Sequence, residues 1–314
     1  MTDDQWFDDL LVIGRMSQVD AAKKLMELGD YCPNVQEQGA EEGSEAQALG
    51  SWGNWFRTKL WQHSAHAFGY IAPSPVRDQP LPILGAGAMA ADPSLRNARI
   101  KITLDRLRIA EYPGGGMHHV LFDFYAQNQV AGELEHLHFN ATFRGRQGQH
   151  VALVGYPLFV GLQVGNEGVA FKCFTVNVKN EQDESLLGFF DSDVFKAGLR
   201  LATTAQPALA PLATMASGLT RALATRHRNV PVQDFYMGLD FSNVATRARL
   251  AEGSYLAVQI PEDEAPAWDW NAWRFAPGSG QVVSATDSQQ TLRYNYVVFG
   301  VSRSDGSEKS APGR

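Results

Sequence analysis

From residue 98 the chain alternates apolar and polar side chains with a period of two, the pattern of a β-strand with one buried face. Apolar residues occupy alternate positions over 100–104. The apolar phase then moves by one residue to Leu107 and Ile109, which predicts a bulge near Asp105. This segment therefore constrains the chain to build a sheet, and the bulge fixes where its first long strand bends.

Further period-two segments follow at short intervals, separated by glycine and proline turn signals, without helices alternating between them. Such spacing favours an antiparallel β-sandwich over a parallel α/β sheet. In strand density the layout resembles a C2-type sandwich. The later strands are predicted at 120–126, 137–143, 150–154, 158–164, 169–178, 235–241, 254–260, 281–284 and 294–302.

Two regions carry helical patterns instead. Residues 4–29 predict two helices, the second marked by an Ser17-x-x-Asp20 cap and closed by Gly29. An inserted helical pair is predicted within 192–226, with the two helices at 192–205 and 211–226. The fold class is thus mainly β, an antiparallel β-sandwich with an inserted helical pair and an N-terminal helical region.

Composition shifts divide the chain into four parts. Residues 34–51 are acidic, rich in Gly, Ser and Gln, and too poor in apolar side chains to offset the entropy of ordering, which predicts a mobile linker. The predicted organisation is therefore 1–33 N-terminal helices, 34–97 acidic linker and Pro/Trp-rich irregular segment, 98–302 sandwich and 303–314 disordered tail.

Charge and cysteine content exclude some function classes and suggest a compartment. The 314 residues carry a formal net charge of −7, which leaves no basic excess for binding nucleic acid. Cys32 and Cys173 form no CxxC pair, and the acidic start MTDDQWFDDL is unlike a secretory signal. We therefore expect a cytoplasmic protein, and no cofactor motif is recognised in the chain.

Histidines on the predicted strands are the candidate metal ligands. His136 and His138 leave the same face of one strand, opposite its apolar face, while His119 and Asp123 lie on the polar face of the preceding strand. If these strands pair, imidazoles and a carboxylate come to one surface, as in a zinc or iron site. The competing interpretation is a row of ordinary polar residues on a solvated face, and it is the one we favour.

A tryptophan-rich run is the candidate partner-binding patch. Trp268, Trp270 and Trp273 follow the acidic stretch PEDEAP and are flanked by prolines. Clustered indoles of this kind are typical of protein interfaces. The alternative is that they seal the edge of the sandwich.

The uncharged stretch 201–220 is long enough to span a bilayer if it were one continuous helix. It contains Pro207 and Pro211, and its alanines and threonines contribute little transfer energy. We therefore expect it to pack on the sandwich, with the apolar stripe of its second helix turned to the core.

No catalytic motif is recognised, so the sequence favours a non-enzymatic function without excluding an enzyme. The leading hypothesis is an interaction or effector protein that binds a protein partner through sandwich loops, the tryptophans and the helical insertion. The second is a metal-dependent enzyme built on the histidine face. The third is a membrane-active protein that inserts 201–220.

Overall fold

The structure, a computed structural model, describes most of the chain. The described residues are 7–30, 55–76, 78–130, 133–151, 153–180, 183, 210–244 and 247–304. The predicted linker 34–51, the helix at 192–205 and residues 305–314 of the predicted tail lie outside them.

The described part contains the α-helices α1 (Gln18–Leu28) and α2 (Ala210–Thr225), helical residues at 55–57 and a long series of strands. The strands are β1 (Ala65–Ile71), β2 (Leu81–Pro82), β3 (Leu84–Gly85), β4 (Arg99–Ile109), β5 (Met117–Val130), β6 (Glu133–Arg146), β7 (Gln149–Val151), β8 (Tyr156–Gln163), β9 (Gly168–Val178), β10 (Val230–Asp240), β11 (Ala248–Arg249), β12 (Gly253–Ile260), β13 (Trp273–Ala276), β14 (Gln281–Ser284) and β15 (Tyr296–Arg303).

These strands form three sheets. A seven-stranded sheet has the order β3-β1-β12-β15-β4-β7, with β8 also paired to β4. A five-stranded sheet has the order β11-β10-β9-β5-β6, and a three-stranded sheet the order β14-β13-β2. The pairing is antiparallel except between β10 and β11. The mainly β prediction is therefore confirmed.

Aromatic side chains fill the space between the two large sheets. Phe299 of the seven-stranded sheet packs against three rings of the five-stranded sheet, at centroid distances of 5.8 Å to Phe124, 5.3 Å to Phe171 and 6.2 Å to Phe235. All four side chains are buried. The two sheets thus share one core, which makes the architecture the predicted sandwich.

The predicted bulge lies in β4. Leu104 pairs with Phe299 and Arg106 with Val298, so Asp105 has no partner residue in β15. The extra residue changes the phase of the strand and keeps both Leu104 and Leu107 buried.

A second hydrophobic core lies on the other face of the seven-stranded sheet. It contains outward-facing residues of β1, β12 and β15, and it is covered by the three-stranded sheet and by tryptophans. The strand β1 was not predicted, so the sandwich begins at Ala65 rather than at residue 98. Three consecutive buried residues end this strand, and a strand buried on both faces has no alternating pattern to read.

The outer face of the five-stranded sheet is covered by the N-terminal segment and by α2. The predicted helix at the N-terminus is confirmed as α1, with Ser17 Oγ accepting a hydrogen bond from Asp20 N at 3.1 Å and Gly29 in the left-handed conformation. The first of the two predicted N-terminal helices is not formed over 7–16. That stretch contains turns and one short 3-10 helix, because it lies along the sheet with Val12 and Ile13 buried in the main core.

The predicted helix at 211–226 is confirmed as α2, and it packs on the sheet. Leu223 and Thr220 are fully buried, and Leu219 packs against the main core. Its C-terminal end is held by Asn229, whose amide donates hydrogen bonds to the Asp183 carboxylate at 2.7 Å and to the Leu223 carbonyl at 3.0 Å. Among the described residues, no helix is both long and apolar enough to cross a membrane.

Candidate functional site

An open cleft of about 760 Å³ lies where β1 and β15 begin and β12 ends in the seven-stranded sheet. It is bounded by the turn before β1, by the loop after β12 and by the residue that precedes Tyr294. We call it the polar cleft, and its lining consists of Gly14, Arg57, Thr58, Leu60, Gln62, His63, Ser64, Pro261, Glu262, Asp263, Glu264 and Arg293. Charged side chains of both signs therefore face one opening.

A buried amide ladder fixes the floor of the polar cleft. Gln259 Nε2 donates a hydrogen bond to the His63 carbonyl at 2.7 Å, and Asn295 Nδ2 donates to Gln259 Oε1 at 2.9 Å. Gly14 closes one side, where a β-carbon would lie 2.2 Å from the Gln62 carbonyl oxygen. Only glycine permits the N-terminal segment to approach the cleft this closely.

Some of the charges in the polar cleft are paired with each other. The Ser64 hydroxyl donates a hydrogen bond to the Glu262 carboxylate, and Tyr294 donates to Glu264 Oε2 at 2.8 Å. Arg293 lies 3.6 Å from the Glu264 carboxylate and donates to the Tyr294 hydroxyl at 2.7 Å. These contacts hold one wall in a defined geometry.

Two charges in the polar cleft remain available. Arg57 and Asp263 are both exposed and form no ion pair with another residue in the described part of the chain. They are charges of opposite sign that a ligand can reach without displacing an internal partner.

His63 is the titratable side chain at the base of the polar cleft. Only 8% of its surface is exposed, and its ring lies edge-on to Tyr294 at 5.8 Å. Its Nδ1 lies 2.5 Å from the Gln62 side-chain amide. Burial lowers the pKa of His63 below its usual value, so at neutral pH the imidazole is uncharged.

The predicted tryptophan patch forms a loop beside this cleft. In this tryptophan loop, residues 268–273, the indole of Trp268 stacks on Trp273 at 6.4 Å and meets Trp270 edge-on at 5.6 Å. Trp268 also packs on Tyr294 at 6.0 Å, which joins the loop to the polar cleft.

Each of the three indoles is half-buried against the second core. Trp270 lies on β1, where a β-carbon at Gly69 would come 2.9 Å from its ring. The tryptophans thus cover the sheet and also present part of their surface to solvent. The half-buried indoles fit the interpretation that they seal the sandwich, and partner binding stays a prediction.

The candidate metal ligands lie on one ladder, and among the described side chains His119 lies far from His138 and Asp123. β5 and β6 pair with Asp123 opposite Asn140 and with Tyr125 opposite His138. His119 is six residues from Tyr125, a separation of roughly 20 Å along the strand. The side chain of His136 lies outside the described part of the structure. No group of three or more metal-binding side chains is present among the described residues.

The face that carries His138 is buried, not solvated as we favoured from the sequence. His138 and Asp123 expose 4% and 1% of their surface, beneath α2 and Phe7. Their side chains form a hydrogen bond of 3.3 Å between His138 Nδ1 and Asp123 Oδ1. Periodicity reports which residues share a face, but it does not report what covers that face.

The residues of the polar cleft were not identified from the sequence. They come from segments around positions 14, 57–64, 261–264 and 293, which only the sheet pairing brings together. The acidic run Glu262–Glu264 was the available signal. This run does not predict that Arg57 and His63 lie beside it, because residues so far apart in the chain share no local pattern.

No known protein family matches the chain, and no curated protein or solved structure was found to resemble it. The geometry of the chain itself therefore carries the functional argument.

Proposed function

We propose that this protein recognises a polypeptide segment of a protein partner at the polar cleft, with the tryptophan loop as the apolar edge of the interface. The observation that supports this proposal is the pair of available opposite charges, Arg57 and Asp263, in one open cleft. A polypeptide carries groups of both signs, and complementary charges select and orient it.

The surroundings of these charges match the anatomy of protein interfaces. Aromatic residues and arginine are enriched in interfaces, where a few of them supply most of the binding energy. Trp268 and Trp273 keep part of their surface open beside Arg293 and Glu264. Because internal contacts hold these side chains, little conformational entropy remains to be lost on binding.

We further propose that the protein acts in the cytoplasm. The free thiol of Cys173 is buried, which is compatible with a reducing compartment.

The test is selection of ligands from a phage-displayed library of random peptides on the full chain, followed by calorimetry with the selected peptides. We expect Arg57→Ala and Asp263→Ala each to weaken binding by about tenfold, equivalent to about 1.4 kcal/mol. Trp268→Ala should weaken it at least as much. The matched control is Arg144→Ala, an exposed charge on β6 in the other large sheet, which should leave binding unchanged.

Two results would contradict the proposal. One is that selection enriches no peptide. The other is that the enriched peptides bind the cleft variants as tightly as they bind the parent protein and the Arg144→Ala control.

A further inference from the structure

A histidine–aspartate pair is buried under the N-terminal segment. Asp123 Oδ1 lies 3.3 Å from His138 Nδ1, and Asp123 Oδ2 accepts hydrogen bonds of 2.8 Å from both Asn140 Nδ2 and Thr220 Oγ1. When the carboxylate accepts a hydrogen bond from Nδ1–H, a neutral imidazole has its free lone pair on Nε2.

That second ring nitrogen is unused. His138 Nε2 is buried and has no hydrogen-bond partner among the described residues. Leaving a buried acceptor unpaired costs free energy, and such atoms are rare in folded proteins. A ligand that donates a hydrogen bond to Nε2 would remove this unfavourable free energy.

Two aromatic side chains pack on the His138 ring. Tyr125 of β5 meets it edge-on at 4.5 Å, and the other is Phe7 of the N-terminal segment. Its ring lies edge-on to His138 at 6.1 Å and packs on Phe174 at 5.2 Å, with 1% of the residue exposed. Phe7 has a backbone φ of 57°, in the left-handed region that is unfavourable for a bulky residue. The aromatic ring thus occupies its site at the expense of local backbone strain.

The residues next to Phe7 are tied down by charge. Asp8 pairs with the buried Lys172 at 2.7 Å, and Asp9 pairs with Arg221. The Asp8 and Asp9 side chains are 76% and 58% exposed, so dissolved salt screens both pairs. The next firm apolar anchors, Val12 and Ile13, come only after these residues.

We propose that residues 7–9 are a gate, and that its opening exposes a binding site for an aromatic hydroxyl group. The ligand's ring takes the place of the Phe7 ring against Phe174, and its O–H donates a hydrogen bond to His138 Nε2. In the closed state the Phe7 ring then occupies the position of the ligand's ring, but it has no hydroxyl group to bond to Nε2.

The gate is tested by labelling histidines of the full chain with diethyl pyrocarbonate, which acylates an accessible imidazole nitrogen, and mapping the labelled peptides. We expect Phe7→Ala to raise the labelling rate of His138 by roughly tenfold or more, because reactivity of a covered group follows its open population. High salt should raise it in the parent protein. Leu11→Ala, at an exposed position of the same segment, should not.

Internal references separate opening of the gate from unfolding. The exposed His227 reports the reagent concentration, and the buried His118 should stay unlabelled. Cys173 lies between the sheets and should stay unreactive toward N-ethylmaleimide. If Phe7→Ala also makes Cys173 reactive, that variant unfolds too far to report on the gate, and Asp9→Asn tests the gate in its place. Asp9→Asn keeps the phenylalanine and removes only an exposed ion pair.

The ligand class is tested with phenol and toluene, which differ in the hydroxyl group. In Phe7→Ala, phenol should protect His138 from labelling more strongly than toluene at equal concentration, with His227 labelling unchanged. Equal protection by the two compounds overturns the hydroxyl site. An unchanged His138 rate in whichever variant keeps Cys173 protected overturns the gate.

Discussion

The outer faces of the two large sheets are both covered, but their covers have opposite chemistry. Over the seven-stranded sheet, Trp270, Phe275 and their neighbours close an apolar core against residues such as Val258 and Val298. Over the five-stranded sheet, the N-terminal segment and α2 close a face that carries Asp123, His138, Asn140, Lys172 and Asp234. One cover is held by burial of apolar area, and the other depends on hydrogen bonds and ion pairs between buried polar groups.

This difference determines how the stability of each cover responds to substitution. Apolar burial is lost in proportion to the area removed, so truncations there cause graded destabilisation. A buried polar network instead loses stability when a single partner is removed, because the remaining group stays desolvated and unpaired. The polar face also carries the exposed ion pairs of Asp8 and Asp9, which salt weakens, and this suits a segment that opens.

The largest effect is expected for Lys172→Met, which tests the polar face directly. Lys172 is 6% exposed and lies 3.1 Å from Asp234, itself 9% exposed. Removing the ammonium leaves this carboxylate buried beside Arg15 alone, and the free energy of unfolding should fall by about 3–5 kcal/mol. Urea denaturation measures the change.

The double variant Lys172→Met with Asp234→Leu is the control for this prediction. It removes both charges and should recover much of the lost stability, since a buried pair replaced by apolar residues is often neutral. A double variant as unstable as the single one would show that packing, not charge pairing, holds this cover.

The apolar cover is tested by Trp270→Ala, with an expected loss of about 2–3 kcal/mol in unfolding free energy. The indole is half-buried on Gly69, so its truncation removes contact area and opens a void over β1. The matched control is Asn271→Ala, an exposed neighbour in the same loop, which should change stability by about 0.5 kcal/mol or less. Similar losses for the two variants would argue against a structural role for the loop.

Sequence periodicity predicted the parts of this fold that have one buried face. The bulge at Asp105 and the later strands were recoverable because their alternation is local. The strand β1 was missed because its second half, including Tyr70 and Ile71, is buried without alternation. The three-stranded sheet was only partly predicted, since β2 and β13 pair across a long separation in sequence.

The candidate sites were likewise predicted only where the pattern is local in the sequence. Sequence reasoning placed His138 and Asp123 on one polar face, and their pairing follows from the β5–β6 register. It did not predict that Thr220 of α2 would bond to Asp123 from above, because no pattern in either segment refers to the other. The polar cleft was missed for the same physical reason.

A smaller effect is expected for Leu219→Asp, which tests whether α2 belongs to the cover. Leu219 is half-buried against the main core, so a carboxylate there should lower the free energy of unfolding by about 2 kcal/mol. Ala222→Asp, on the exposed side of the same helix, should cost about 0.5 kcal/mol or less. If Leu219→Asp keeps the melting temperature and loses liposome binding that the parent shows, the packed helix is not its functional state.

The smallest expected effect is a pH dependence of stability. It arises in the main core between the two large sheets, not in the segments that cover their outer faces. His118 is fully buried on the inner face of β5, edge-on to Tyr112 at 5.8 Å, and burial lowers its pKa to about 4. In the unfolded chain a histidine has a pKa near 6.5. Between these two values the unfolded state binds a proton that the folded state does not, so stability is highest above about pH 6.5 and falls as the pH is lowered toward 4.

The contribution of one such histidine is at most about 1.4 kcal/mol per pH unit, or roughly 1–2 kcal/mol between pH 6.5 and pH 5. Urea denaturation of the parent and of His118→Asn at pH 7 and pH 5 measures it, and the variant should lose that part of the pH dependence. His227→Asn, at an exposed position, should retain it. If the full acid sensitivity survives in His118→Asn, His118 is not the titrating group. His66 is then the next histidine to replace, because its ring packs on Phe235 at 4.8 Å between the sheets and burial lowers its pKa to about 3.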